Sequence, residues 1–132
     1  NAARFKVLPD ADDFTAVDGV SVENVASVYT ANNGAGAVVT ASARGYGGDV
    51  TVMVGFHADG TIQAITVTNH EETQGIGSNV VDSAEYLAQY AGLPAQPLTL
   101  GVDVDAYAGA TRSSNAVIEA VNAAIAAYNQ IP

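Results

Sequence analysis

The sequence predicts an α+β fold: one domain over residues 1–132, built as an antiparallel β-sheet with flanking α-helices. Val50, Val52, Val54 and Phe56 alternate with Thr51, Met53 and Gly55, the period of two of a strand with one face on a core. Asn33-Gly34 and Asp59-Gly60 are short hairpin turns, and connections of that length cannot make a parallel crossover. Val117, Ala120, Val121, Ala124, Ile125 and Tyr128 recur at the three-and-four spacing of a helix with one apolar stripe. The 132 residues make about one folding unit at roughly 150 residues per domain. A 48% hydrophobic fraction supplies a core that needs no disulfide or metal.

Taken in order, residues 1–9 read as a lead-in segment from an upstream anchor or domain, with Pro9 stopping any helix that arrives there. Asp10 through Val17 fits one short helix. From Val20 to Phe56 the pattern is that of strands: a β-rich run to Thr30, a turn at Asn32-Asn33-Gly34, and Ala37 to Ala41. Val50 to Phe56 and the Ile65, Val67 alternation form a second hairpin around Asp59-Gly60. Ser78 or Asn79 can cap a helix through Val81, Ala84, Leu87, Ala88 and Ala91, ended by Gly92 and Pro94. Pro94 to Pro97 is an extended connector. Ser113 or Ser114 is expected to cap the long C-terminal helix.

Charge and composition exclude several classes of function. Four Lys and Arg against fourteen Asp and Glu give a net charge of −10, which repels phosphate backbones and anionic lipid, so nucleic acid is not a partner. With no cysteine there are no thiolate nucleophiles, cysteine zinc sites or iron–sulfur clusters, and any redox chemistry requires a bound cofactor. No run approaches the ~18 apolar residues of a membrane span. The chain starts at Asn1 without Met or a signal peptide, so it reads as a mature fragment or excised domain with any anchor ahead of Asn1.

Three segments offer candidate chemistry. Asp105-Ala106-Tyr107-Ala108-Gly109-Ala110-Thr111-Arg112-Ser113-Ser114 leads into the long helix. A helix start offers unpaired N–H groups and a positive dipole end, Gly109 and Ala110 allow close approach, and the hydroxyls and Arg112 suit phosphate. Read alone, the same residues also describe an ordinary helix cap. His70-Glu71-Glu72-Thr73-Gln74-Gly75-Ile76-Gly77 lacks the second His of a zincin and by itself is a solvated loop. Arg44-Gly45-Tyr46-Gly47-Gly48 lacks dinucleotide-binding spacing and reads as a turn between strands. His57 reads as an ordinary strand histidine, and Asp103-Val104-Asp105 as a strand end and not a calcium loop.

In this order, Gly45-Tyr46-x-Gly48, then His70-x-Glu72-Thr73-x-Gly75-Ile76-Gly77, then Asp105-x-x-Ala108-Gly109-Ala110-Thr111-x-Ser113-Ser114 resembles the FMN-binding domain family. Members of that family include the G subunit of Rnf-type electron-transport complexes and the C subunit of the sodium-pumping NADH:quinone reductase. The resemblance runs from about Leu8 to Ala127. Gln74 stands where the family has proline, Ile76 where it has leucine, and Ala108 where it has Ser or Thr; Asp105 and Thr111 match.

The resemblance implies a phosphoprotein of a particular kind, with FMN joined through its phosphate to Thr111 by a flavin transferase that uses FAD. Gly109 and Ala110 would be the close-approach backbone, with Ser113 and Ser114 as phosphate or cap donors. Glu72, Thr73, Gly75 and Ile76 would lie against the flavin, with Tyr46 a neighbour. Asp105, Gly109, Ala110 and Thr111 would form the transferase recognition motif. The implied function is electron transfer as a carrier domain and not a stand-alone enzyme. The implied partners are redox proteins or a quinone-linked membrane complex. An extracytoplasmic location, periplasmic or at the cell surface, is expected, with membrane tethering through a segment outside this sequence. Two alternatives stand beside it: the FMN module of a larger reductase of fumarate-reductase type, and a non-redox anion-binding module.

Overall fold

The structure is a computed structural model and describes residues 2–17, 19–20, 22–44, 49–70, 84–106 and 111–131. Five strands, β1 (Phe14–Ala16), β2 (Val25–Ala31), β3 (Gly36–Arg44), β4 (Asp49–His57) and β5 (Ile62–His70), form one sheet in sequence order. All neighbours are antiparallel. The expected hairpins are where the turn residues put them. Gly34 adopts a φ of 81° and donates its N–H to the Ala31 carbonyl. Gly60 has a φ of 90°, while the Asp59 carboxylate accepts from the Thr61 hydroxyl at 2.7 Å and from its amide at 3.1 Å. That bonding, the hydroxyl first, holds the Asp59 carboxyl below its ordinary value.

The period of two in β4 separates two cores. Val50, Val52, Val54 and Phe56 join the main core, and Met53 a smaller one on the other face. The main core is closed by the long helix α3 (Thr111–Tyr128), which packs on β3 and β4 and reaches β2. On its buried stripe Val117, Ala120, Val121 and Ala124 are fully inaccessible. Tyr128 stacks on Phe56 at 4.4 Å between ring centroids. The opposite face is covered by helix α1 (Ala2–Val7), whose Val7 and following Leu8 pack with Ala31, Val38 and Met53.

Helix α2 (Ala84–Leu87) tightens into a 3-10 turn, Ala88–Tyr90. The expected caps Ser78 and Asn79 lie outside the described residues. The chain then reverses at Gly92, whose N–H donates to the Ile62 carbonyl at 2.7 Å. Leu98 is held at both backbone groups by Asn122 of α3.

Three local expectations are corrected. The lead-in segment is itself helical over α1, ending just before Pro9 as proline demands. Asp10 to Val17 is not a helix. The Asp12 carboxylate accepts from the amides of Asp13 and Asn33, and the Asp13 carboxylate from that of Phe14. Such short side-chain bonds compete with helical ones, and Phe14 to Ala16 pairs with β2 as the edge strand. Asp103 does not end a strand: its carboxylate accepts from the Thr99 amide at 2.8 Å in a tight turn. Val104 makes only an isolated bridge with Leu100.

Candidate functional site

The three candidate segments are bounded by residues that share one end of the molecule. Arg44 pairs with Asp49, so residues 45–48 connect β3 to β4 at that end of the sheet. Val50 pairs with His70, so the chain leaves β5 at the same end. The Tyr128 hydroxyl, in the last turn of α3, donates to the His57 carbonyl at the other end of β4. The first turn of α3 therefore points toward the Asp49 and His70 end. Tyr46, Glu72, Thr73, Gly75, Ile76, Gly109 and Ala110 themselves lie outside the described residues.

Thr111 is the first residue of the 18-residue α3, and no acidic residue stands in its first turn. The first amides of such a helix lack intrahelical acceptors and carry roughly half a positive charge. A phosphate group fits there, with nothing of like charge in that turn to oppose it. Ser113 and Ser114 do not cap the helix, because it begins ahead of them; they are 1% and 0% exposed in its first turn. The Ser113 hydroxyl is buried without a partner among the described residues. An orphaned hydroxyl beside a helix start fits an anionic group that supplies its missing acceptor.

Beneath this turn lies a polar cluster that the motifs did not disclose. The Tyr86 hydroxyl donates to the Asp105 carbonyl at 2.6 Å and shares a hydrogen bond with Ser114. Burial raises the Tyr86 hydroxyl above its ordinary value, the Ser114 bond opposes that, and the nearby Asp105 charge adds to it. The Asp105 amide donates to Gln89 Oε1 at 2.9 Å, and Gln89 Nε2 donates to the Tyr86 carbonyl at 3.2 Å. Tyr90 is completely buried, its hydroxyl has no partner among the described residues, and burial followed by the proximity of Tyr86 raises it further. Tyr86 and Tyr90 fall one helical turn apart, the one sequence signal of a shared face. No group of three or more metal-ligating side chains occurs among the described residues.

Comparison with known proteins defines the class. The model of a family described as the FMN-binding domain matches residues 45–126. The G subunit of the Na(+)-translocating ferredoxin:NAD(+) oxidoreductase complex of Acetobacterium woodii is 33% identical over 155 residues, covering 98% of this chain and 73% of that protein. The G subunit of the ion-translocating oxidoreductase complex of Methanosarcina acetivorans is 33% identical over 132 residues, covering 91% of this chain and 70% of that protein. Among solved structures, Shewanella oneidensis NqrC superposes with a TM-score of 0.61 at 23% identity. The match covers 89% of this chain and 65% of NqrC, and it establishes the fold.

This chain belongs to the FMN-binding domain family. Its cofactor is FMN, and the fold that carries it is the antiparallel sheet with helices seen in NqrC.

Proposed function

We propose that the chain is an electron-transfer domain carrying FMN in phosphoester linkage to Thr111, and that it works as one component of an ion-translocating oxidoreductase complex. The observation that carries this reading is the position of Thr111, first in a long helix with an acid-free first turn. The relatives, each the G subunit of an oxidoreductase complex, supply the setting. When bound, FMN supplies reversible acceptance of one or two electrons.

The chain's own residues do the rest. The start of α3 stabilises the phosphate charge through its amides, and the buried Ser113 hydroxyl beside it has no hydrogen-bond partner among the described residues. Glu72, Thr73, Gly75 and Ile76, with Tyr46, flank the flavin. Gly109 and Ala110 let the main chain approach. Covalent attachment removes the need for a pocket that engulfs the ring, which leaves an edge open to redox partners.

An FAD-dependent flavin transferase matures the protein, recognising Asp105, Gly109, Ala110 and Thr111. The domain sits on the extracytoplasmic side of a membrane, tethered by a segment outside this sequence. No described helix is long and apolar enough to cross a membrane. Coexpression with a transferase followed by intact-mass measurement tests the reading. The expected result is a gain of one FMN less one water, retained by Thr111→Ser in part and abolished by Thr111→Ala. A chain that stays unshifted and colourless in the presence of active transferase and FAD overturns it.

A further inference from the structure

We propose that Tyr86 and Gln89 are positioning residues for the attachment of FMN: from α2 and its 3-10 extension they hold the backbone of Asp105 at both polar groups and so fix Asp105, for the transferase, relative to the first turn of α3 that carries Thr111. The inference rests on the phosphoester reading of Thr111. Asp105 is exposed as a residue, yet both of its backbone polar groups are held by side chains. Its carbonyl accepts from the Tyr86 hydroxyl at 2.6 Å and its amide donates to Gln89 Oε1 at 2.9 Å. Gln89 is itself fastened through its Nε2 to the Tyr86 carbonyl. A half-buried glutamine gives up rotamer freedom to hold an exposed backbone amide, which stability alone does not require. Ser114, three positions after Thr111, hydrogen-bonds the same Tyr86 hydroxyl. One phenol thus ties the residue at the start of the recognition motif to the helix turn that carries its acceptor.

The reaction this arrangement serves is a phosphoryl-group transfer with no change of oxidation state. The Thr111 hydroxyl oxygen forms a bond to the FMN phosphorus of FAD, the pyrophosphate P–O bond breaks, AMP departs, and the hydroxyl proton passes to a base of the transferase. An enzyme that must engage Asp105 and Thr111 together gains rate when their separation is already set, since misplacement by about 1 Å can cost on the order of a hundredfold.

The test follows attachment by intact mass over time, with purified transferase and FAD, across a range of acceptor concentrations. The variants are Tyr86→Phe, Gln89→Leu and the pair together. Tyr128→Phe is the matched control, because it deletes another tyrosine-to-carbonyl bond at the far end of α3. All four are melted to confirm folding at the assay temperature. The expected result is a fall in kcat/KM for attachment on the order of tenfold to a hundredfold in the double variant, with intermediate single variants and an unchanged control. Two results overturn the inference: attachment at the wild-type rate in every variant, or equal slowing in Tyr128→Phe, which would mark a stability effect. Failure of the wild-type chain to gain mass instead overturns the phosphoester reading beneath it, and this inference with it.

Discussion

At the scale of single residues, Tyr90 shows how far burial outweighs bonding in this domain. Its ring is wholly enclosed while its hydroxyl has no partner among the described residues. An unmet buried hydroxyl costs roughly 1–3 kcal/mol, so Tyr90→Phe is expected to raise the urea midpoint at pH 7 by the equivalent of about 1 kcal/mol. The pH dependence has a definite sign. Burial raises the folded-state value of Tyr90, whereas the unfolded chain ionises near ~10. The contribution to stability is therefore complete below that pH and lost as pH climbs from there toward the raised folded value. Tyr90→Phe should flatten the decline in urea midpoint between pH 9 and pH 11; an equally steep decline would exclude Tyr90 as its source. Its spacing from Tyr86 is the only sequence signal of this tyrosine, because its environment is assembled from α2 and the distant β5. The places of Ser113 and Ser114 escape a local reading for a related reason. Cap residues and first-turn residues share a composition, and only the core contacts of α3 decide where the helix starts.

Among the elements, β4 carries the most information, since both of its faces are covered. Its alternation is legible as a strand, and the assignment of Val50, Val52, Val54 and Phe56 to one core follows from it directly. What the alternation leaves open is the cover on the other face, because α1 is short and its partner contacts are distant in sequence. The two helices make opposite demands of the sheet. Against α3, large side chains fill space: Ile125 is 1% exposed, and Ile125→Ala should cost about 2–5 kcal/mol through lost burial and the cavity left behind. Against α1, space must be kept empty. A Cβ on Gly55 would lie 2.0 Å from the Val7 carbonyl oxygen, a contact that backbone movement alone can relieve. Gly55→Ala is expected to destabilise by about 1–3 kcal/mol and to expose α1 to proteolysis before the rest unfolds. Limited digestion that cuts the variant and the parent at the same rate would show that α1 docks without that notch. Asp12 and Asp13 mark the limit of pattern reading at this scale, since the same carboxylates that can start a helix instead bond the amides that turn the chain into β1.

For the whole molecule, the sheet register brings the described flanks of the separated motifs to one end: Arg44 pairs with Asp49 and Val50 with His70 there, and the first turn of α3 points toward it. The motif order in the sequence makes the cofactor class legible, whereas their convergence depends on long-range pairing that no local pattern encodes. The net charge of −10 then acts on whatever meets the flavin. A field of that sign draws cations and repels anions over a Debye length of about 30 Å at 0.01 M salt, shrinking to about 10 Å at 0.1 M. The phosphate of FMN adds negative charge and strengthens the effect. Stopped-flow oxidation of the reduced flavinylated protein by two small oxidants isolates this contribution. Raising ionic strength should slow the reaction with hexaammineruthenium(III), a cation, and accelerate that with ferricyanide, an anion. Opposite salt slopes identify an accessible flavin edge within the negative field and imply a natural redox partner with a basic docking face. Two flat profiles would mean that the charge lies too far from the exchanging edge to steer encounter, and the expectation of a basic partner would fall with it.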